Sequence, residues 1–316
     1  DREVLLPCLE SIYASEPQIA FEVIVTDNDS ADGSAAEVRR RFPQVVVVDA
    51  GYNAGYTGGN NIGYARSTGR YVMFLNPDTL MIGSALDDLV RRADEIPDLG
   101  AIGPNVRNAD GTLQRSVYRS PRLINFVDSC LRTRLPLYSK LFGFFGYHDS
   151  DYEREMEVDI VCGCGFLVPR PVLEEVGAFD EEYFIYYEEA DLQERIRASG
   201  RKVVYTPSAS IVHLGGATTV KQQTWFRIEC ECSRRRSFQK HRGPLSRLAL
   251  RPTLFLDSLA RTVLGSLAVV LTLGRSEHVR KKTGIEWSLL LWQLGLRHHP
   301  PKQPTPRQAP AAAVTQ

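Results

Sequence analysis

The sequence predicts an α/β domain on a mostly parallel sheet, followed by a helical appendage. Three observations lead there. Short apolar runs, FEVIV, VVVV and YVMFL, alternate with helical patterns through the first quarter of the chain, the signature of strands covered on both faces. Those runs lead into acids, Asp27, Asp49 and Asp78, and ligands of such sheets bind at the carboxyl ends of the strands. Beyond Thr218 the pattern turns to long amphipathic segments.

Val4 to Ala14 reads as a helix with Leu5, Leu9 and Ile12 on one stripe. FEVIV follows as a strand and ends in the polar run Asp27 to Ser34. Ala35 to Phe42 is helical, Val45 to Val48 is a β-branched strand, and Gly51 to Gly63 is a glycine-rich loop entering a helix. Tyr71 to Leu75 is the next strand, closed by Asn76-Pro77-Asp78. From Asp110 to Asp151 the pattern weakens, as a lid or acceptor-side insertion would. Order returns with EVDIVCGCGFLVPR, whose glycines predict a close backbone approach or a bulge. A helix from Pro171 to Val176 stops at Gly177, FDEEYFIYYEEADLQERIRASG carries another helix, and KVVY and SIVHLGG read as strands. WFRIECECSRRRSFQKHR and IEWSLLLWQLGLR are long helices, and the Pro- and Ala-rich end from His298 is expected to be disordered.

With 316 residues, 38 basic and 38 acidic side chains, the chain can bury a full core and lacks the basic excess of a nucleic-acid binder. The six cysteines show no dense disulfide spacing and fit a reducing cytoplasm. The two Cys-x-Cys pairs, at Cys162 and Cys164 and at Cys230 and Cys232, read as buried thiols rather than as a zinc site. The chain opens at Asp1 with no initiator Met or secretory leader, as a fragment that has lost its beginning would. Its most apolar run, Thr262 to Leu273, is too short to span a bilayer.

Asp78 after a strand suits magnesium or manganese, which keep few protein ligands and share the rest with phosphate and water. His213, at the end of SIVHLGG, is a second candidate ligand. In the acid run Glu188-Glu189-Ala190-Asp191, helical spacing lines Glu189 up with Leu192 and Ile196 on the inward stripe. It sets Glu188 and Asp191 beside Arg195, where Asp191 has an i,i+4 ion pair to make. An inward Glu189 could take a proton from an attacking hydroxyl; complementing the helix dipole is the competing reading. Two motifs fail. In DNDSADGS, placing Gly33 at position six of a calcium loop puts Arg39 where the bidentate acid belongs. GYNAGYTGGNNIG has neither a dinucleotide glycine fingerprint nor a Walker lysine; its glycines permit close approach to a ligand or close helix packing.

Taken in order, TDNDSADGS, GYNAGYTGGNNIGYARSTG, FLNPDT, GPNVRNADGTLQ, CGCGFLVPR, FDEEYFIYYEEADLQERIRASG and SIVHLGG resemble family 2 glycosyltransferases of the rhamnosyltransferase-like branch. The likeness runs from Leu5 to Gly216. It implies a GT-A fold, a nucleoside diphosphate sugar donor, a divalent metal (magnesium or manganese) and inversion at the anomeric carbon. By position it puts Asp27 and Asp29 at the base and ribose, and Asn53, Gly59 and Asn60 in the donor loop. Asn76 and Asp78 fall in the metal motif, with Asp78 its last acid, and His213 is the histidine after the last core strand. The matched base is Glu189, where the family usually has Asp; Asp191 is the reserve candidate. The resemblance also implies a preceding strand inside the sheet.

The expected division is a glycosyltransferase domain over 1–217, with a donor half (1–109) and an acceptor and catalytic half (110–217), then a helical region (218–297) and a tail (298–316). The acceptor expected is a saccharide, free or polyprenyl-linked, in cell-surface polysaccharide synthesis. The helical region, with Trp287, Trp292 and Arg234 to Arg236, reads either as a peripheral anchor at the inner face of the cell membrane or as packing on the catalytic domain or a second copy. A non-catalytic nucleotide-sugar or glycan-binding homologue is the alternative; an NAD-linked oxidoreductase lacks its fingerprint.

Overall fold

A computed structural model describes residues 1–134, 147–215 and 223–298, so the expected tail (298–316), apart from its first residue, lies outside the described residues. In chain order the first half runs α1 (Arg2–Ala14), β1 (Ile24–Asp27), α2 (Ser34–Arg41), β2 (Val46–Asp49), α3 (Gly55–Arg66), β3 (Tyr71–Leu75), β4 (Thr79–Ile82), α4 (Ala85–Glu95) and β5 (Leu99–Arg107). Next come β6 (Val117–Tyr118), α5 (Leu123–Arg134), a 3-10 turn (Asp149–Glu153), β7 (Met156–Glu157), β8 (Ile160–Val161), β9 (Gly165–Pro169) and α6 (Arg170–Val176). The remainder is α7 (Glu188–Ala198), β10 (Lys202–His213), α8 (Gln223–His241), α9 (Pro244–Leu271) and α10 (Glu277–Gln293).

The sheet corrects one expectation. It is mixed, not mostly parallel: β1 and β2 pair in parallel, as do β5 and β10, but β9 runs antiparallel to β3 and β5, and β4 runs antiparallel to β10. The main sheet has the order β3-β9-β5-β10-β4. The physical reason is where the insertion begins and ends. It leaves the carboxyl end of β5 and returns at Gly165, which pairs with Leu75 at the carboxyl end of β3. A strand that starts at that edge can only run back down the sheet.

Alternation along β9 builds both faces. Phe166 and Val168 join Leu192, Ile196 and Tyr205 in one core beneath α7, while Leu167 joins Leu89, Ile102 and Val204 in the core beneath α4. The predicted close approaches occur at Gly163 in the β8–β9 loop and at Gly165, the first residue of β9. A Cβ on Gly165 would lie 2.8 Å from the Ile211 Cδ1, and one on Gly163 would lie 3.3 Å from the Glu189 Cβ.

Candidate active site

Antiparallel pairing of β4 with β10 sets His213 opposite Thr79, and the turn before β4 places Asp78 beside it. His213 Nε2 lies 3.4 Å from Asp78 Oδ1. The other ring nitrogen, Nδ1, is 3.0 Å from Gln114 Oε1. With the amide oxygen accepting, Nδ1 carries a proton, so Nε2 is the nitrogen that faces Asp78: protonated it donates to the carboxylate, and deprotonated it offers a lone pair to a cation. Gln114 arrives there because the Asn108 to Thr112 turn, with Gly111 at φ 83°, folds the chain back until the Gln114 amide donates to the Val106 carbonyl at 2.9 Å. Burial works against a charged imidazole, but the hydrogen bond and charge of Asp78 outweigh it and hold the His213 pKa above its ordinary value. Burial likewise opposes the Asp78 charge, and His213 reverses the balance, so Asp78 stays below the usual carboxylate range.

The Cys162-Gly163-Cys164 loop connects this pair to the acids of α7. The Cys162 thiol is stabilised as thiolate first by the Cys164 thiol, and it feels the charge of Glu189 and that of His213. Glu189 reaches the loop over Gly163, and the Tyr56 hydroxyl donates to the Gly163 carbonyl at 2.7 Å. Asn76 closes the far side by donating its amide to the Cys164 carbonyl at 2.9 Å. Glu188 and Glu189 open α7, after Tyr186 and Tyr187 at φ 71° and 68°, a left-handed pair that side-chain-bearing residues adopt only when packing enforces it. Burial raises both carboxyls, Glu188 well above its ordinary value and with the Glu189 charge adding to the effect. For Glu189 the amides of the first turn pull the other way. Neighbouring acids on one buried turn cannot both ionise cheaply, and both carboxyls are held above their ordinary values. Each has one oxygen, Oε2, buried without a hydrogen-bond partner among the described residues.

A model of the family described as "Glycosyl transferase family 2" matches residues 1–177, more than half of the chain. The chain belongs to glycosyl transferase family 2. The matched span includes Asp78 and ends before Glu189 and His213. The transferase is 31% identical over 222 residues to N-acetylglucosaminyl-diphospho-decaprenol L-rhamnosyltransferase of Mycobacterium tuberculosis, covering 66% of this chain and 72% of that protein. The low-salt glycan biosynthesis hexosyltransferase Agl10 of Haloferax volcanii is 25% identical over 65% of this chain and 62% of its own length. Among solved structures, the mannosyltransferase PcManGT of Pyrobaculum calidifontis, in complex with GDP-Man and Mn2+, superimposes with a TM-score of 0.54 at 17% identity, over 94% of this chain and 84% of that one. That likeness is one of fold: the GT-A arrangement of a mixed sheet flanked by helices.

The expected donor residues of the transferase fall into groups. Asp27 ends β1, and its Oδ1 accepts from the Ser30 amide at 3.3 Å. Asp29 is exposed, at φ 63°. Asn53 Oδ1 accepts from the Gly55 amide at 3.0 Å, and Asn60 donates to the Tyr56 carbonyl at 2.8 Å within α3. Gly59 serves a neighbour: the space a Cβ would fill holds the Asn28 amide, 2.9 Å away. Asn28 donates to the Gly55 carbonyl at 2.9 Å and leaves its Oδ1 buried and unpartnered among the described residues, as Asn76 does. Gly55 itself is a packing site, since a Cβ there would lie 2.6 Å from the Phe184 carbonyl, and Phe184 accepts from the Tyr56 amide at 2.8 Å. The glycine loop therefore holds the Tyr183–Phe184 segment that leads to Glu189.

The structure puts Asp191 elsewhere. The predicted pair with Arg195 exists at 2.9 Å, but the face expected to flank the buried stripe is itself buried, because α8 covers it. Asp191 is 0% exposed and meets Lys240 at 2.8 Å and His241 at 2.7 Å. Burial opposes its charge, and those partners hold its pKa down to about 2. A carboxylate so strongly stabilised is a poor proton acceptor, so Asp191 is an anchor for α8 and Glu189 is the base candidate. Of the two expected readings for Arg234 to Arg236, the contacts fit packing on the catalytic domain: Arg234 donates to the Tyr187 hydroxyl at 2.7 Å, and Arg236 pairs with Glu182 at 3.0 Å.

Gln114, Asn28 and Tyr56 lie inside the motifs of the resemblance without being singled out by them, and Cys162 reads in the sequence only as a buried thiol. All six cysteines are free thiols, and no group of three or more potential metal-ligating His, Cys, Asp or Glu occurs among the described residues. The Asp78–His213 pair still fits a divalent ion. At ligand distances near 2.1 Å, two neighbouring positions of an octahedral ion lie about 3 Å apart, close to the 3.4 Å observed. Two protein ligands suit an ion that takes its others from phosphate and water.

Proposed function

We propose that the transferase is an inverting, divalent-metal-dependent enzyme. It moves a hexose of the rhamnose class from a nucleoside diphosphate to a hydroxyl of a saccharide acceptor, free or carried on a polyprenyl diphosphate. The observation that carries this reading is the convergence of the Asp78–His213 pair and Glu189 on one loop, Cys162 to Cys164. The rhamnosyl transfer of the mycobacterial relative supports the sugar and acceptor class, and the Mn2+ and GDP-mannose of the archaeal structure support the metal and donor class.

Asp78 and His213 would hold magnesium or manganese, which neutralises charge on the departing diphosphate. Gln114 fixes the His213 ring so that Nε2 stays available. Glu189 accepts the acceptor hydroxyl proton as the new C1–O bond forms, and the bond from C1 to the diphosphate oxygen breaks with its electron pair on oxygen. One carboxylate suffices, because a single direct displacement inverts the anomeric centre. Burial of Glu189 strengthens it as a base. Free thiols agree with work on the cytoplasmic side of the membrane.

The test is a panel of nucleoside diphosphate sugars incubated with a short saccharide acceptor, with and without Mn2+, with the product anomer read by NMR. The expected product has the configuration opposite to the donor and forms only with metal. Retention of configuration would overturn the single-displacement assignment. Donor binding without turnover on any acceptor would favour the non-catalytic homologue.

A further inference from the structure

The two last helices invert the pattern of a water-soluble protein. In an ordinary helix pair the apolar stripe faces in and the polar face meets water. Here the interior mixes buried leucines, Leu250, Leu254, Leu289 and Leu290, with an unusual share of buried polar side chains. Glu231, 1% exposed, takes both its carboxylate oxygens to Gln293 Nε2 at 2.8 Å. That same nitrogen donates to Ser258 at 3.1 Å. Asp257 pairs with Arg261 at 2.9 Å, and Gly265 lets α9 approach Thr283 of α10 so closely that a Cβ would lie 2.7 Å from its hydroxyl. Meanwhile Leu256, Leu259, Val263, Leu267 and Val270, spaced by three and four along one face of α9, stand 38–69% exposed. Leu271 and Leu273 extend the face round the turn at 83% and 76%. Trp287 sits beside it, its indole donating to Ser266 at 3.1 Å.

The apolar run from Thr262 belongs to a single 28-residue helix whose most apolar stretch has a mean hydropathy of 1.7. The charges on the outside point to one occupant. Arg275, Arg280, Lys281 and Lys282 ring the turn end, all exposed, and Glu277 is the one exposed acid among described residues 244–298. The chain as a whole has equal numbers of acidic and basic groups, so this surface is locally basic. A second copy would bring the same one-signed collar and little acid to pair with it. Anionic lipid headgroups supply the opposite sign, and acyl chains supply the apolar medium for the leucines.

We propose that the α9–α10 hairpin is a membrane-docking element. It lies in the interface of an anionic bilayer with the Leu256–Val270 face submerged and the basic turn among the headgroups. The buried polar contacts hold the hairpin together when water no longer penalises its exposed leucines. Contacts of α8 with Asp180, Asp191 and Glu194 transmit that placement to the catalytic segment. The inference stands on the hairpin and not on the transfer reaction.

The experiment is co-sedimentation of the chain with phosphatidylcholine vesicles, with and without about a third phosphatidylglycerol, alongside light scattering without lipid. Wild type is expected to partition at least tenfold more strongly onto the anionic vesicles, and less so at about 0.5 M salt, where headgroup attraction is screened. Leu267→Glu with Val270→Glu, and separately Lys281→Glu with Lys282→Glu, are expected to lower that partitioning about tenfold or more. Both pairs are exposed, so circular dichroism should be unchanged. Equal binding of wild type and both variants, or no binding to anionic vesicles, would overturn the proposal. A dimer dispersed by Leu267→Glu with Val270→Glu, together with no vesicle binding, would assign the face to a second copy instead.

Discussion

His213 Nδ1 and Gln114 Oε1 lie 3.0 Å apart, and this contact decides which nitrogen of the imidazole faces Asp78. A metal-ligating histidine whose second nitrogen is held by an acceptor keeps both its tautomer and its ring orientation. Replacing the acceptor with an apolar side chain of similar size should free the ring. Gln114→Leu is expected to weaken Mn2+ binding about 10- to 100-fold, measured by electron paramagnetic resonance of free Mn2+, with little change in thermal stability. Unchanged affinity would remove Gln114 from the site.

Metal binding requires a neutral imidazole, and Asp78 holds the His213 pKa above its ordinary value. The proton must therefore leave on binding, and affinity falls as pH drops through that raised pKa. The expected loss is about tenfold per pH unit below it, abolished in His213→Gln. Asp78, held below the usual range, stays ionised throughout. A pH-independent affinity in the wild type would contradict the assignment of His213 as ligand.

Asp191 offers a stability prediction. Removing its charge takes from Arg195, Lys240 and His241 their shared buried partner, although each keeps a second contact, and Asp191→Ala should cost about 3 kcal/mol at neutral pH, read by urea unfolding. The folded pKa is depressed, to about 2. Its contribution is thus complete above the unfolded value near 4 and is lost as pH falls toward about 2. The wild-type and variant curves should converge over that acid window.

Gly55 carries a φ of 73°, and a Cβ there would meet the Phe184 carbonyl at 2.6 Å. Both the backbone and the contact penalise Gly55→Ala. The expected destabilisation is about 1–3 kcal/mol, with weaker turnover because the segment carrying Glu189 shifts.

Much of this was legible in the sequence, and for identifiable reasons. Asp78, Glu189 and His213 each stand at the end of a patterned element, where periodicity and acid placement speak locally. Strand direction was not legible, because the run FLVP reads the same whichever way it crosses the sheet; only the route of the insertion decides it. Gln114, Asn28 and Tyr56 act through partners far away in the chain, which no local pattern encodes. Asp191 was ambiguous for the same reason: its proper partners, Lys240 and His241, come from a helix beyond the span of the resemblance.

The proposed site gives donor binding and proton transfer to separate residues, and donor binding and turnover measured side by side in two variants tell the two roles apart. Asp78→Ala is expected to lose Mn2+-dependent binding of the nucleoside diphosphate sugar, and turnover with it. Glu189→Gln is expected to bind donor as the wild type does and to lose turnover by about 100-fold or more, with the wild-type rate rising as pH climbs through the elevated Glu189 pKa. Wild-type turnover in Glu189→Gln, or undiminished metal-dependent donor binding in Asp78→Ala, would contradict the account.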